Sequence, residues 1–483
     1  MSLTIESPGA VTAPGGGRAG LVFAGASLAG VTLSAAVASG RPILASRWGL
    51  LAELTAWGVV WAVAVAAALR LPRRVALAAI VAAGIALRLA ALAGPPTTSD
   101  DLYRYSWDGR VQAAGIDPYA DPPASAALAG LRDSWLWPDA AGCAALHRPV
   151  GCTRINRPGQ RTIYPPVAQA WFAGVFRVAG IGARHKAWQV AGFVTELGVL
   201  ALLPVALRRW GRDPRWTAMY ALSPAPVLEV VNNGHIDGLA VVGIVAALVV
   251  AAGSPSWRRD VAVGLLIGAA AMVKLYPAVL VLAFGGVIGG RRLASLARVT
   301  LTVAAVSALA YLPHVLRVGR RVLGYLPGYL REEHYQSGGR FLLAGAAHLP
   351  HPLAGPVSVL AVVGAAVWVV ATRPSPPVGA CILVGAVLLA ASPIQPWYAV
   401  SLLAVATVAA TPWWAAVVAA GYPYFFAVIL DDRHATALGQ VVYAVAFAVV
   451  VARALTARRD AMHHSPPATS STRLAYTAVD PPR

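Results

Sequence analysis

Charge is scarce in this chain. Of its 483 residues only 12% are Asp, Glu, Lys or Arg, about half the roughly 25% of a soluble domain, which excludes an ordinary water-soluble fold. The period-two alternation of a transmembrane β-barrel is missing as well. Apolar residues make up 58% of the chain and come in Ala/Leu/Val blocks, which recur at the length of about 17–25 residues that a helix needs to cross a bilayer. The start of the chain lacks a basic segment followed by a short apolar core and a cleavage site. Residues 1–18 are therefore expected as a disordered cytoplasmic tail and not as a signal peptide. Residues 456–483, rich in Ser, Thr, Pro and His, are expected as a second such tail. Residues 19–455 then form one all-α, polytopic transmembrane bundle of about 13–15 spans, about 14 in the favoured reading, with both termini inside.

The formal net charge of +19 would suggest nucleic acid in a soluble protein. Here much of it sits in short loops between apolar blocks, where basic residues set orientation, so no nucleic-acid partner is expected. Arg70, Arg73 and Arg74, Arg258 and Arg259, Arg291 and Arg292, Arg373, and Arg453 with Arg458 and Arg459 are expected on the cytoplasmic side. Asp100 and Asp101, the stretches 232–237, 274–276 and 395–398, and Asp431 with Asp432 then face outward. One place resists this alternation. Arg184-His185-Lys186 and Arg208-Arg209-Trp210-Gly211-Arg212 are both basic, with one apolar segment between them. Either one of the segments 165–183 and 188–206 is interfacial or re-entrant, or one basic loop faces out.

Residues 95–164 form a long extracytoplasmic loop, and loops of this length inside a compact protein are usually functional. Its Trp107, Trp135 and Trp137 suit interfacial helices at headgroup depth. It also holds Cys143 and Cys152, while Cys381 falls in an apolar block. An oxidising exterior permits a Cys143–Cys152 disulfide. Two free thiols are the other reading, and metal ligation by both with His147 lacks an evident fourth ligand.

Polar clusters carry the functional argument. The first is Asp100-Asp101 with Tyr103, Arg104, Trp107, Asp108 and Arg110. A carboxylate at a membrane lip can take a proton from a hydroxyl as general base, best when burial raises its pKa. Two adjacent carboxylates can share a proton. A helix N-cap explains either Asp singly, but not the whole cluster. The second is Asn232-Asn233-Gly234-His235-Ile236-Asp237. A tight turn accounts for Asn233-Gly234, not for His235 and Asp237 at the head of an apolar block, where ionisable groups are expensive. The third is Lys274-Leu275-Tyr276-Pro277; its lysine faces a cavity or a phosphate, or snorkels to headgroups. The fourth, Gln395-Pro396-Trp397-Tyr398, also fits an aromatic belt anchor. The fifth is the basic loop 314–352 with Arg317, Arg320, Arg321, Arg331 and Arg340, interleaved with Tyr325, Tyr329, His334 and Tyr335. Arginines recognise phosphate by bidentate contacts, so a lipid-phosphate site is expected there, with anionic headgroups as the plainer occupant.

Together these features resemble a known family. Asp-Asp at the end of an early span, a long first outer loop and Tyr164-Pro165-Pro166 opening the following helix look like the GT-C integral-membrane glycosyltransferases. The run from Ser99 to Tyr119, the Asn-Gly-His-Ile-Asp element, Val-Lys-Leu-Tyr-Pro and Pro-Trp-Tyr are similar to actinobacterial polyprenol-phosphate-mannose-dependent mannosyltransferases. The resemblance covers residues 70 to 455. It implies inverting transfer of a sugar, mannose foremost, from a polyprenyl-phosphate donor to a lipid-linked or cell-envelope glycan, on the outer face of the cytoplasmic membrane. Asp100 or Asp101 then serves as base. Lys274, His235 and arginines of the basic loop are expected to meet the donor phosphate. Tyr103, Arg104, Trp107, Asp108, Arg110, Tyr164, Asn233, Asp237, Tyr276, Gln395, Trp397 and Tyr398 are expected around the substrates. No cofactor is expected, because Lys274 and arginines can neutralise a phosphate, although an Asp pair also suits Mg²⁺ or Mn²⁺.

A transporter or flippase of polyprenyl-linked sugars is the competing class. It would share the spans and the aromatic rim, but it predicts inverted repeats and mid-membrane sites. No internal repeat is evident, and the polar clusters are expected on one side and not at the midplane, with Glu196 and Glu229, which lie within apolar segments, as the exceptions. A non-catalytic scaffold leaves the converging Asp, His, Lys and Arg unexplained.

Overall fold

The computed structural model describes residues 16–180, 182, 184–284 and 292–463. The expected tails therefore fall largely outside the described residues, as does Arg291 of one basic loop. Among the described residues the chain is all helical. The principal helices are α1 (Gly16–Ser39), α2 (Trp48–Ala68), α3 (Arg73–Ala90), α4 (Asp101–Ala113), α5 (Pro166–Ala179), α6 (Arg184–Arg209), α7 (Asp237–Ala251) and α8 (Trp257–Ala271). After them come α9 (Arg292–Val318), α10 (Leu326–Glu332), α11 (His351–Thr372), α12 (Pro376–Ala391), α13 (Val400–Ala409), α14 (Ala415–Ile429) and α15 (Ala435–His463). The last helix runs past Thr456, where a tail was expected to begin.

Seven of the described helices are long and apolar enough to cross a membrane, and three further apolar ones are shorter, of 10–17 residues. The expectation of about 13–15 spans counted apolar blocks. Several of these blocks form broken or short helices, because Pro or polar residues interrupt the hydrogen-bond ladder. The stretch after Pro224 and Pro226 becomes a π-helical segment, Val227–Asn232. Residues 276–284 form a 3₁₀ segment followed by a single helical turn.

The chain's two polar ends are defined by side-chain contacts. At one end, α3 runs into Asp100, and Lys186 at the start of α6 donates to the Gly94 carbonyl at 3.1 Å. At the other end Arg215 donates to the Leu71 carbonyl at 2.9 Å, just before α3, and Trp210 donates to the Leu248 carbonyl at 3.0 Å near the end of α7. Helix α6 thus crosses the bundle. Helix α5 does not: its 14 residues reach about 21 Å, short of the roughly 30 Å hydrocarbon core. It packs along α4, with the Val167 amide at its start donating to the Met272 carbonyl at 3.0 Å. Arg184-His185-Lys186 shares an end with Asp100, and Arg208–Arg212 lies at the opposite end beside Leu71 and Leu248.

The loop 95–164 carries structure of its own, including α4, a 3₁₀ turn at Ala126–Leu131 and a helical turn at Ala140–Ala145. Trp107, Val111, Leu128, Leu136 and Ile155 form its small core. Cys143 and Cys152 are joined by a disulfide, with Cα atoms 5.8 Å apart.

Gly192 on α6 lets that helix close onto the π-helical segment. A Cβ there would stand 2.0 Å from the Val230 carbonyl oxygen, which is backbone and cannot swing aside. Gly192→Ala is therefore expected to destabilise the protein by about 1–3 kcal/mol, read as a lower thermal midpoint in detergent. An unchanged midpoint would show that α6 does not need this approach.

Candidate active site

The residues before Asp100 are held by two buried asparagines. Asn232 accepts from the Thr97 amide at 3.0 Å and from its hydroxyl at 2.7 Å, and donates to the carbonyls of Ala91 and Pro95 at 3.1 Å. Asn233 accepts from the amides of Thr97 and Thr98, each at 3.1 Å, and donates to the Thr98 hydroxyl at 2.6 Å and to Glu229 at 3.0 Å. Gly234 follows with φ +70°, a conformation that glycine adopts without strain. Asn233, expected near substrate, instead clamps the strand of chain that delivers the carboxylates.

Asp100 sits at the N-cap of α4, and Asp101 is its first residue. Asn156, from the far side of the long loop, bridges them: its Nδ2 donates to Oδ1 of each at 2.8 Å. The Tyr164 hydroxyl donates to Asp101 Oδ2 at 3.1 Å. Asp101 therefore carries donors on both oxygens, while Asp100 accepts from Asn156. Burial first, and the neighbouring Asp101 second, push the Asp100 carboxyl above its ordinary 3.8.

Behind Asp101 lies His235, stacked on Trp397 with centroids 3.9 Å apart. Its ring nitrogens stand 3.7 Å from Asp101 and 3.6 Å from Glu229. Burial drives its imidazole down to about 3, so the ring is neutral. Lys274 lies 3.4 Å from Asp237 and over the rings of Tyr164 at 5.2 Å and Tyr398 at 4.8 Å, an arrangement that orients an ammonium group.

These groups meet in a cavity of about 710 Å³. Of the residues expected at the site, Asp100, Asp101, Tyr103, Arg104, Tyr164, Lys274, Arg340, Gln395, Trp397 and Tyr398 line it. Arg340 is paired with Glu333 at 2.8 Å, which also accepts from Gln395 at 3.1 Å. His235, Asp237 and Tyr276 stand behind the wall; the rings of Tyr276 and Tyr398 are 6.3 Å apart. Others lie elsewhere. Trp107 is packed in the loop's own core. Asp108 accepts from Arg104 at 2.8 Å and from Gln169 at 2.9 Å, and Arg110 pairs with Asp133. Arg317, Arg320, Arg321 and Arg331 are exposed and outside the cavity. Helix α9 continues to Val318 and carries Arg317 on its last turn, so the basic loop starts later than residue 314.

Sequence reasoning missed Asn156, Arg148, Arg154 and Arg157, which also line the cavity. They sit near the disulfide in a stretch without periodicity, and only the folding back of the loop brings them to Asp100. Glu332 at the end of α10 and Glu333 just after it, which pair with Arg157 and Arg340, were also missed. Among the described residues no group of three His, Cys, Asp or Glu is arranged to hold a metal ion. A divalent cation in this cavity would meet the oxygens of Asp100 and Asp101.

The family model of glycosyltransferase family 87 matches residues 162–393. The match supports a membrane glycosyltransferase. It takes in Tyr164, Glu229, His235, Asp237, Lys274 and Arg340, and it begins after the carboxylate pair. No curated protein and no solved structure matches the chain.

Proposed function

We propose that the protein moves a sugar from a polyprenyl-phosphate donor to a glycan or glycolipid hydroxyl, with inversion, on the outer face of the cytoplasmic membrane. The observation that carries this reading is the carboxylate pair set in one cavity with Lys274. The acceptor oxygen bonds to the anomeric carbon as the carbon–oxygen bond to phosphate breaks. The hydroxyl proton passes to Asp100, and the electron pair leaves with the phosphate, whose charge Lys274 offsets. Asp100 suits the base because it carries fewer donors than Asp101 and its carboxyl is raised, and general bases work best near the operating pH. Asp101 holds Tyr164 and Asn156 in place. The cavity also has an apolar side at Ile43, Leu44, Ile394, Phe425 and Ile429, which fits a lipid chain beside a polar head. Arg70, Arg73, Arg208, Arg209 and Arg258 gather at the end away from Asp100, and basic loops stay in the cytoplasm, so the cavity faces out. Mannose is the sugar indicated by the resemblance of the Ser99–Tyr119 run.

The test is consumption of polyprenyl-phosphate sugars by the purified protein with a lipid extract as acceptor source. No consumption of any such donor would end this reading. The same assay reports the base. Asp100 must be ionised to act, and its raised carboxyl takes a proton at higher pH than a free one. Turnover is therefore expected to hold above that raised pKa and to fall as pH drops through it. Asp101→Asn removes one of the charges that raise Asp100, so the residual activity of that variant is expected to lose its acid limb at lower pH than the parent. A limb that stays or moves up would assign the base elsewhere.

A further inference from the structure

Four arginines that the cavity does not use share one place in the fold. Arg317 is on the last turn of α9, Arg320 and Arg321 lie on the 3₁₀ turn Gly319–Leu323 that follows it, and Arg331 is near the end of α10. All four are exposed, and among the described residues none of them is in an ion pair. Arg321 reaches the Ala120 carbonyl at 3.4 Å, which leaves most of its N–H groups free for a ligand. Large apolar side chains stand among these charges: Leu316 is 77% exposed, Leu323 56% and Leu330 39%. Arginine alternating with bare leucine is the composition of a surface that lies in a headgroup layer.

The depth of the patch follows from α9. Arg298 on that helix pairs with Asp260 at 2.7 Å, near the start of α8 and so at the end of the bundle away from Asp100. From Arg298 to Arg317 the helix rises about 28 Å, close to the roughly 30 Å of a hydrocarbon core. With Arg298 at one boundary, Arg317 stands at the other. His314, one turn earlier, lies 2.7 Å from Asp117 of the long loop, which sets this end of α9 on the side of the carboxylate pair. The turn itself is held in place. Gly324 has φ +52°, and a Cβ there would stand 1.7 Å from the Thr162 carbonyl oxygen. The chain after Arg320 and Arg321 is thus pressed against the backbone that leads to Tyr164, and both guanidiniums project from a seated turn.

We propose that Arg317, Arg320, Arg321 and Arg331 form a docking surface for acidic phospholipids of the leaflet at the site end of the bundle. Guanidinium forks match phosphate oxygens in pairs, and Leu316, Leu323 and Leu330 enter the acyl boundary beneath them. A free phosphate ion would meet the arginines and leave the leucines bare, whereas a bilayer lipid satisfies both. The surface lies outside the cavity, so it does not depend on which substrates the cavity takes. It borders the site all the same, because Glu332, next to Arg331, pairs with Arg157 of the cavity wall.

The test uses the full-length protein in phosphatidylcholine nanodiscs that carry a trace of phosphatidylglycerol with a photoreactive diazirine on its headgroup. Mass spectrometry maps the crosslinks. Each basic residue near an acidic lipid surface contributes about fivefold, so labelling of residues 312–331 is expected to exceed that by a phosphatidylcholine probe with the same diazirine about tenfold or more. Arg317→Gln, Arg320→Gln, Arg321→Gln and Arg331→Gln together are expected to remove this excess and to leave labelling of residues 70–74, at the opposite end, as in the parent. The second segment reports that the variant is folded and inserted. A salt titration of the parent, expected to lower the excess by screening, needs no variant. Equal labelling of residues 312–331 by the two probes, or an excess that survives in the fourfold variant, would overturn the inference. Loss of the excess to inorganic phosphate at the probe's own concentration would show a free-phosphate site and overturn the lipid assignment. Sugar transfer has no part in the readout, so these outcomes leave the transfer reading where it stands.

Discussion

Asp100→Asn is expected to lower sugar transfer by about 10²–10⁴-fold, the usual contribution of a positioned general base, while leaving the protein folded and inserted. The substitution preserves volume and the oxygen that accepts from Asn156. What it removes is the negative charge and the site for the acceptor's proton. On the proposed transfer, with the donor phosphate at Lys274, donor binding is expected to change little, so the loss is expected in kcat more than in KM. Asp101→Asn is expected to cost less in kcat, because Asp101 already accepts from Tyr164 and Asn156 and acts by holding them. A side-by-side assay with circular dichroism of both variants checks this. Near-parental turnover in Asp100→Asn would remove Asp100 as base, and collapse in Asp101→Asn alone would move the role to Asp101.

The second large effect lies away from the cavity. Arg88 on α3 and Glu196 on α6 are both fully buried, with Arg88 Nη2 2.6 Å and Nε 3.0 Å from Glu196 Oε2. The Tyr220 hydroxyl donates to the other carboxylate oxygen at 2.7 Å, and Arg88 Nη1 donates to the carbonyls of Gly84 at 2.9 Å and Ala221 at 2.7 Å. Removing one partner strands a charge where neither water nor another ion reaches it, which typically costs about 3–5 kcal/mol. Glu196→Ala is expected to destabilise the protein by that amount and to lower the yield of folded protein in detergent. Replacing both residues, Arg88→Met with Glu196→Leu, is expected to recover most of the loss, since an apolar pair of similar volume carries no desolvation cost. Thermal unfolding of both variants beside the parent decides it; a single variant as stable as the double one would show that the ion pair is not what the bundle needs there.

That pair also bears on the competing carrier reading. Glu196 and Glu229 are carboxylates inside apolar segments, of the kind a proton-coupled carrier needs. Glu196 is wholly occupied by Arg88 and Tyr220. Glu229 accepts from Asn233 and stands 3.6 Å from His235 behind the cavity.

Sequence alone determined the helical membrane class. Low charge and long apolar blocks leave few other ways to satisfy backbone groups in lipid, and this depends on composition and local hydrogen bonding only. It also singled out Asp100, Asp101, His235, Asp237 and Lys274, because an ionisable residue beside an apolar block stands out wherever the chain later goes. Tertiary structure decided the rest. Asn232 and Asn233 read as a turn, and only the approach of Thr97 and Thr98 made them clamps. Arg317, Arg320, Arg321 and Arg331 read as a phosphate site by charge density, yet helix α9 continues through Arg317 and leaves these side chains outside the cavity. Arg148, Arg154 and Asn156 read as ordinary loop residues, because nothing local says where a long loop folds back. Whether the segment 165–183 crosses the bilayer was equally undetermined. An apolar stretch can pack on a neighbouring helix or on lipid, and only the tertiary structure shows α5 lying along α4.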